Sequence, residues 1–99
     1  MCEKYLDQIR QMVVDHLKAE NVKIILFGSR ARKDHSATSD IDIGIIPLGE
    51  YNNDVLTLLK EKIENLNIPY KVEIVDFSYV SDTFRKNALK GAIIWKGSN

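Results

Sequence analysis

The sequence predicts an α+β fold, a small mixed β-sheet with helices mainly on one face. Three observations carry this expectation: helical stretches that each show a single apolar stripe, a short continuous apolar run at Val22–Phe27, and a strictly alternating segment that begins at Asp40. A helix with one apolar stripe needs a flat apolar partner, and strands with one apolar face provide it.

Across residues 3–20, Leu6, Ile9, Met12, Val13 and Leu17 recur at spacings of three and four, the stripe of an amphipathic helix. Val22–Phe27 is β-branched and broken only by Lys23, so it reads as a buried strand that ends at Gly28. Residues 30–39 are polar and turn-rich, so a loop is expected there. In the following strand Ile41, Ile43 and Ile45 fall on one face while Asp40, Asp42 and Gly44 fall on the other, until Pro47 and Gly49 stop it. Asn53 or Asp54 is expected to cap a second helix with the stripe Val55, Leu58, Leu59, Ile63 and Leu66, which runs out before Pro69. A third strand over 70–76, a third helix over 81–90 capped by Ser81 and ended by Gly91, and a short strand over 92–95 complete the order.

At 99 residues the chain is expected to form one domain over 1–99, burying roughly 65% of its unfolded surface around a single core. Its 14 basic and 14 acidic residues cancel, so no global field attracts a nucleic-acid polyanion, and direct nucleic-acid binding is not expected. A nucleotide needs only a local cluster of donors. The one cysteine, Cys2, excludes an internal disulfide, and no apolar run approaches the roughly 20 residues of a membrane span. A cytoplasmic protein with no membrane partner is expected.

Chemistry concentrates in two places. Asp40 and Asp42 stand at i and i+2 on one strand face, where two carboxylates repel unless a proton or cation joins them, and hard oxygen ligands suit Mg²⁺ or Mn²⁺. Taken alone, the pair is equally the polar side of a solvated strand. Upstream, Gly28 and Ser29 follow a buried strand directly and are trailed by Arg30, Arg32 and Lys33, a combination of close backbone approach, turn donors and guanidinium groups suited to phosphates. A third acid is expected from the 70–76 strand. Val72 and Ile74 take the core phase, which turns Glu73 to the face of Asp40 and Asp42 if the strands are neighbours, with Asp76 in reserve. His16 and His35 lack partners at zinc spacing, and Tyr51, Tyr70 and Tyr79 read as packing residues before base-stacking ones. The edge strand around Trp95 offers a surface for a partner or a homodimer.

The stretch LFGSRARKDHSATSDIDIGI resembles the signature of the polymerase-beta-type nucleotidyltransferase superfamily, a Gly-Ser turn followed about ten residues later by Asp-x-Asp. The remainder, IPYKVEIVDFSYVSDTFRKNALKGAIIWKG, is similar to the C-terminal part of minimal nucleotidyltransferase proteins, so the resemblance spans almost the whole chain. It implies that fold. It also implies that Asp40, Asp42 and Glu73 hold two divalent metal ions, and that Gly28, Ser29, Arg30 and Arg32 receive the phosphates of ATP or another nucleoside triphosphate. Glu73 takes the place of the third acid, leaving Asp76 outside the ligand set. The activity implied is transfer of a nucleoside monophosphate to a hydroxyl acceptor, with a small all-helical HEPN-type protein as partner in a toxin–antitoxin-like module. Two positions depart from the family pattern: Glu73 stands where aspartate is usual, and Lys33 where glycine is usual. The longer Glu73 side chain opens an alternative, a catalytically weak or silent nucleotide-binding subunit that acts by covering its partner.

Overall fold

The computed structural model describes residues 2–28 and 40–97, with the backbone alone at 2 and 3. Helix α1 (Cys2–Leu17) turns Ile9, Val13 and Leu17 fully inward, with Leu6 and Met12 flanking them, as its stripe predicts. Strand β1 (Val22–Phe27) follows, then β2 (Ile41–Pro47), and the two pair antiparallel from Val22↔Pro47 to Phe27↔Asp42. Helix α2 (Asn53–Glu64) carries the chain back across the sheet, so β3 (Val72–Asp76) lies parallel to β2. A helical crossover is what a parallel neighbour requires. After a 3₁₀ turn at Phe77–Tyr79, helix α3 (Asp82–Leu89) leads to β4 (Ile93–Lys96), which pairs antiparallel with β1. The sheet order is β3-β2-β1-β4, leaving β3 and β4 at the edges.

One face of the sheet carries the main core. Val22, Ile24, Leu26, Ile41, Ile43 and Ile45 meet the stripes of α1 and α2 there. The two helices are tied by His16, whose Nε2–H donates to the Val55 carbonyl at 2.8 Å while Nδ1 accepts from Lys62 Nζ at 3.2 Å. Both ring nitrogens are thus used inside the fold. At the sheet's far edge, Lys96 Nζ donates to the carbonyls of Glu20 and Val22 and fastens β4 to the start of β1.

Three features depart from the sequence expectation. The cap of α2 is Asn52, whose side chain accepts from the Asp54 N–H, one residue earlier than expected. Its buried stripe is Leu56, Leu59 and Ile63, while Leu58 is 53% exposed. Leu58 sits about 100° around the helix from Leu59, outside the arc that touches the sheet, whereas Leu56 falls within it. Tyr70 stands outside β3 and packs edge-on against Tyr5 of α1, with ring centroids 5.8 Å apart. The helices lie mainly on one face, as the sequence predicts, while α3 and the 3₁₀ turn pack on the opposite one and cover part of it. Phe77 joins Ile25, Phe27 and Ile46 in a second buried cluster there, so two helices lie on one face and the third on the other.

Candidate functional site

Gly44 explains how that second face is built. It lies mid-strand in β2, and a Cβ placed on it would stand 2.7 Å from Phe77 Cε1 and 2.9 Å from Ile25 Cγ1. The missing side chain is the seat of the Phe77 ring. A lone glycine inside a strand signals such a close approach, and this signal was present in the sequence. Asp76 holds the turn in place: its carboxylate accepts from Tyr51 Oη at 2.7 Å and from the Ser78 N–H at 2.8 Å. Partial burial works to raise the Asp76 pKa, but the hydrogen bonds from Tyr51 and Ser78 outweigh it and hold the carboxyl below its usual value. The same contact works on the phenol. Burial first, then the bond to Asp76 and its negative charge, push the Tyr51 pKa well above that of free tyrosine. Asp76 is thus engaged at the end of β3 in fixing the backbone.

The other half of this face is acidic. In the parallel ladder Asp42 is the register partner of Glu73, flanked by Ile41↔Val72 and Ile43↔Ile74, so the two carboxylates project side by side from neighbouring strands. Asp42 is half-buried, whereas Asp40 and Glu73 are exposed. Burial raises the Asp42 pKa, the negative charges of Glu73 and then Asp40 raise it further, and Lys71 works in the opposite direction. The three acids therefore share one field. On its second side Asp42 pairs with Phe27 of β1 and meets Gly28, the next residue. Gly28 has φ +80°, and a Cβ there would come within 2.5 Å of Asp42 Oδ2, so the glycine backbone lies directly against the carboxylate. Of the residues expected to form the site, Gly28, Asp42 and Glu73 are brought together, with Asp40 close enough to be felt. Ser29, Arg30, Arg32 and Lys33 lie outside the described residues. Lys71, the cation acting on Asp42, had no motif to mark it. Its position before β3, where its carbonyl accepts from the Ile41 N–H at 2.9 Å, follows only from the strand pairing.

The donor set is all carboxylate oxygen, the chemistry of a hard divalent cation. A half-buried acid pressed by two like charges is relieved by such an ion, and in that respect these residues fit one. Among the described residues, no three His, Cys, Asp or Glu side chains are gathered closely enough to hold a metal ion already. Glu73 also lines a groove of about 250 Å³ between β3 and α2, together with Lys60, Ile63, Glu64, Lys71, Val72 and Ile74.

A family model described as polymerase beta, nucleotidyltransferase, matches residues 8–99. The chain belongs to that family. Comparison with curated proteins gives no match. Among solved structures, this nucleotidyltransferase chain superposes on a toxin–antitoxin complex with AMP-PNP at a TM-score of 0.67 and 20% identity, covering 91% of this chain and 74% of that one. A mutant of the toxin–antitoxin MntA–HpeT matches with TM-score 0.67 and 18% identity over 91% and 74% of the two chains. The tri-AMPylated Shewanella oneidensis HEPN toxin in complex with MNT antitoxin matches with TM-score 0.63 and 19% identity over 93% and 72%. Identities this low speak to the fold alone, and it is a polymerase-beta-like nucleotidyltransferase fold. No helix among the described residues is long and apolar enough to cross a membrane.

Proposed function

We propose that this domain transfers AMP from ATP to a hydroxyl on a small all-helical HEPN-type partner, with a divalent metal ion. The observation that carries the reading is the corner at which Gly28, Asp42 and Glu73 meet. The structural relatives support it, one being a complex with AMP-PNP and another a complex of an AMPylated HEPN toxin with its MNT antitoxin.

In this reading the Gly28–Ser29 turn receives the triphosphate through backbone donors, and Arg30 and Arg32 steady its terminal phosphates. Asp40, Asp42 and Glu73 would hold Mg²⁺ or Mn²⁺ as a pair of ions, which when bound supply charge neutralisation for the triphosphate and the leaving pyrophosphate. Glu73 is exposed and lines the groove between β3 and α2, which makes it the residue to orient the acceptor hydroxyl and take its proton. The hydroxyl oxygen forms a bond to the α-phosphorus, the bond from that phosphorus to the bridging oxygen breaks, and pyrophosphate leaves. Edge strand β4, where Ile93 and Ile94 are 40% and 56% exposed on its two faces, is the edge assigned to the helical partner.

Incubation with ATP labelled at the α-phosphate and a helical partner protein tests the proposal: label is expected on the partner, and none with Asp42→Ala. Glu73 itself motivates a second reading, a subunit that binds nucleotide and covers its partner without turnover. Glutamate sets its carboxylate about one methylene beyond aspartate's, a displacement on the order of 1 Å, and chemistry of this kind is sensitive to that distance. Glu73→Asp separates the two. An inactive wild type that gains transfer on this substitution supports the silent subunit, whereas an active wild type excludes it.

A further inference from the structure

Three phenylalanines close on one another on the acidic side of the sheet. The ring centroids of Phe27 and Phe77 are 5.4 Å apart, those of Phe27 and Phe84 6.0 Å, and those of Phe77 and Phe84 5.9 Å, with interplanar angles of 77°, 81° and 68°. This edge-to-face arrangement is one that aromatic quadrupoles favour. The three rings differ in exposure: Phe77 is 2% and Phe27 7% exposed, so both are core, but Phe84 is 41% exposed. A large apolar ring is thereby held in a fixed setting by two buried ones and still presents surface to solvent.

Its position gives that surface a use. Phe27 is at once the ring against which Phe84 packs, the cross-strand partner of Asp42, and the residue immediately before Gly28. The aromatic trio and the carboxylate corner are therefore side by side on one sheet face, joined through a single residue. We propose that Phe84, seated on Phe27 and Phe77, is the platform on which the purine base of the bound nucleotide stacks. This rests on the reading that the phosphates meet the Gly28 turn. Other exposed or paired aromatics are badly placed for the role. Tyr79, 80% exposed, follows Asp76, which pairs with Ile45 and bonds to Tyr51, toward the opposite end of β2 from Gly28 and Asp42. Tyr5 and Tyr70 pack against each other beside the main core on the other side of the sheet. A platform of this kind grips a base through its π-face without reading its edge, so purine nucleotides should bind better than pyrimidine ones, and ATP and GTP similarly.

Calorimetric titration of the full chain with Mg²⁺-ATP and, separately, with Mg²⁺ and inorganic tripolyphosphate tests this. Stacking of a base on an aromatic ring predicts that Phe84→Ala weakens ATP binding by about 5- to 150-fold and leaves tripolyphosphate binding unchanged. Phe84→Leu keeps the apolar packing and should show a similar selective loss, while Phe84→Trp should keep ATP affinity. Two outcomes overturn the inference and leave the phosphate site standing: wild-type ATP affinity in Phe84→Leu, or wild-type protein that binds tripolyphosphate as tightly as ATP. Wild-type protein that binds neither probe overturns both the platform and the functional reading beneath it.

Discussion

Gly28 and Asp42 constrain each other at the scale of single residues. Gly28 sits at φ +80°, where an L side chain costs about 1–2 kcal/mol, and its absent Cβ leaves room for Asp42 Oδ2. Gly28→Ala should therefore destabilise the fold by about that amount and also turn the Asp42 carboxylate aside. Metal-dependent ATP affinity is expected to fall by more than about tenfold, a loss that calorimetry at matched folded fraction would reveal. Asp42 is subject to the opposite trade. It is half-buried beside two like charges, an arrangement that a bound cation relieves and the free protein must tolerate. Asp42→Asn is expected to stabilise the free fold by up to about 1 kcal/mol, the limit that solvent screening allows, while abolishing metal-dependent binding. Thermal melts without divalent metal check the first part. A melting temperature below that of the wild type would contradict it.

Among the elements, the 3₁₀ turn and α3 depend on two small features of the strands beneath them. Gly44→Ala would drive a methyl to 2.7 Å from Phe77 and 2.9 Å from Ile25, both of them buried side chains. Overpacking of this kind costs about 1–3 kcal/mol, to be read as a lower denaturation midpoint, and it should disturb α3 because Phe84 packs on Phe77. Tyr51 fixes the other end of the turn through Asp76. Because the Asp76 pKa is lowered in the folded chain, its contribution is fully present above the unfolded carboxylate value of about 3.9 and is lost as pH falls through the lower, folded value. Tyr51→Phe should thus cost about 1 kcal/mol near pH 7, with the gap to wild type closing below about pH 4, in urea melts at each pH. A constant gap across that range would remove Asp76 ionisation from the explanation. The sequence was informative about these elements where periodicity decides, as in α1 and β1. It was less so where packing decides: α2 is rotated to bury Leu56 in place of Leu58 and begins one residue after Asn52, because the sheet selects the arc and the cap selects the turn. Nothing local shows that α3 crosses to the acidic face, since that follows from Phe77 finding Gly44 two strands away in sequence order from its own helix.

Over the whole molecule, the sheet divides the labour: α1 and α2 build a core on one face, and the acids and phenylalanines share the other. This division is what made Glu73 legible from sequence. Once Val72 and Ile74 are assigned inward, a parallel neighbour with the same alternation places Glu73 opposite Asp42, and the observed register does so. The contact between Gly28 and Asp42, by contrast, depends on β1 and β2 being antiparallel neighbours joined across residues 28–40, a pairing that spacing alone leaves open. Lys71 and the aromatic trio were hidden for the same reason, as each is assembled by strand order and not by a motif. The central claim is that the corner of Gly28, Asp42 and Glu73 is a metal-dependent nucleotide site. Its most direct test is a calorimetric titration of the wild-type chain and Asp42→Ala with ATP, each with Mg²⁺ and with EDTA. Saturable binding by the wild type that disappears both in EDTA and in Asp42→Ala is the expected result, and binding indifferent to the metal and to Asp42, or no binding at all, would contradict the account.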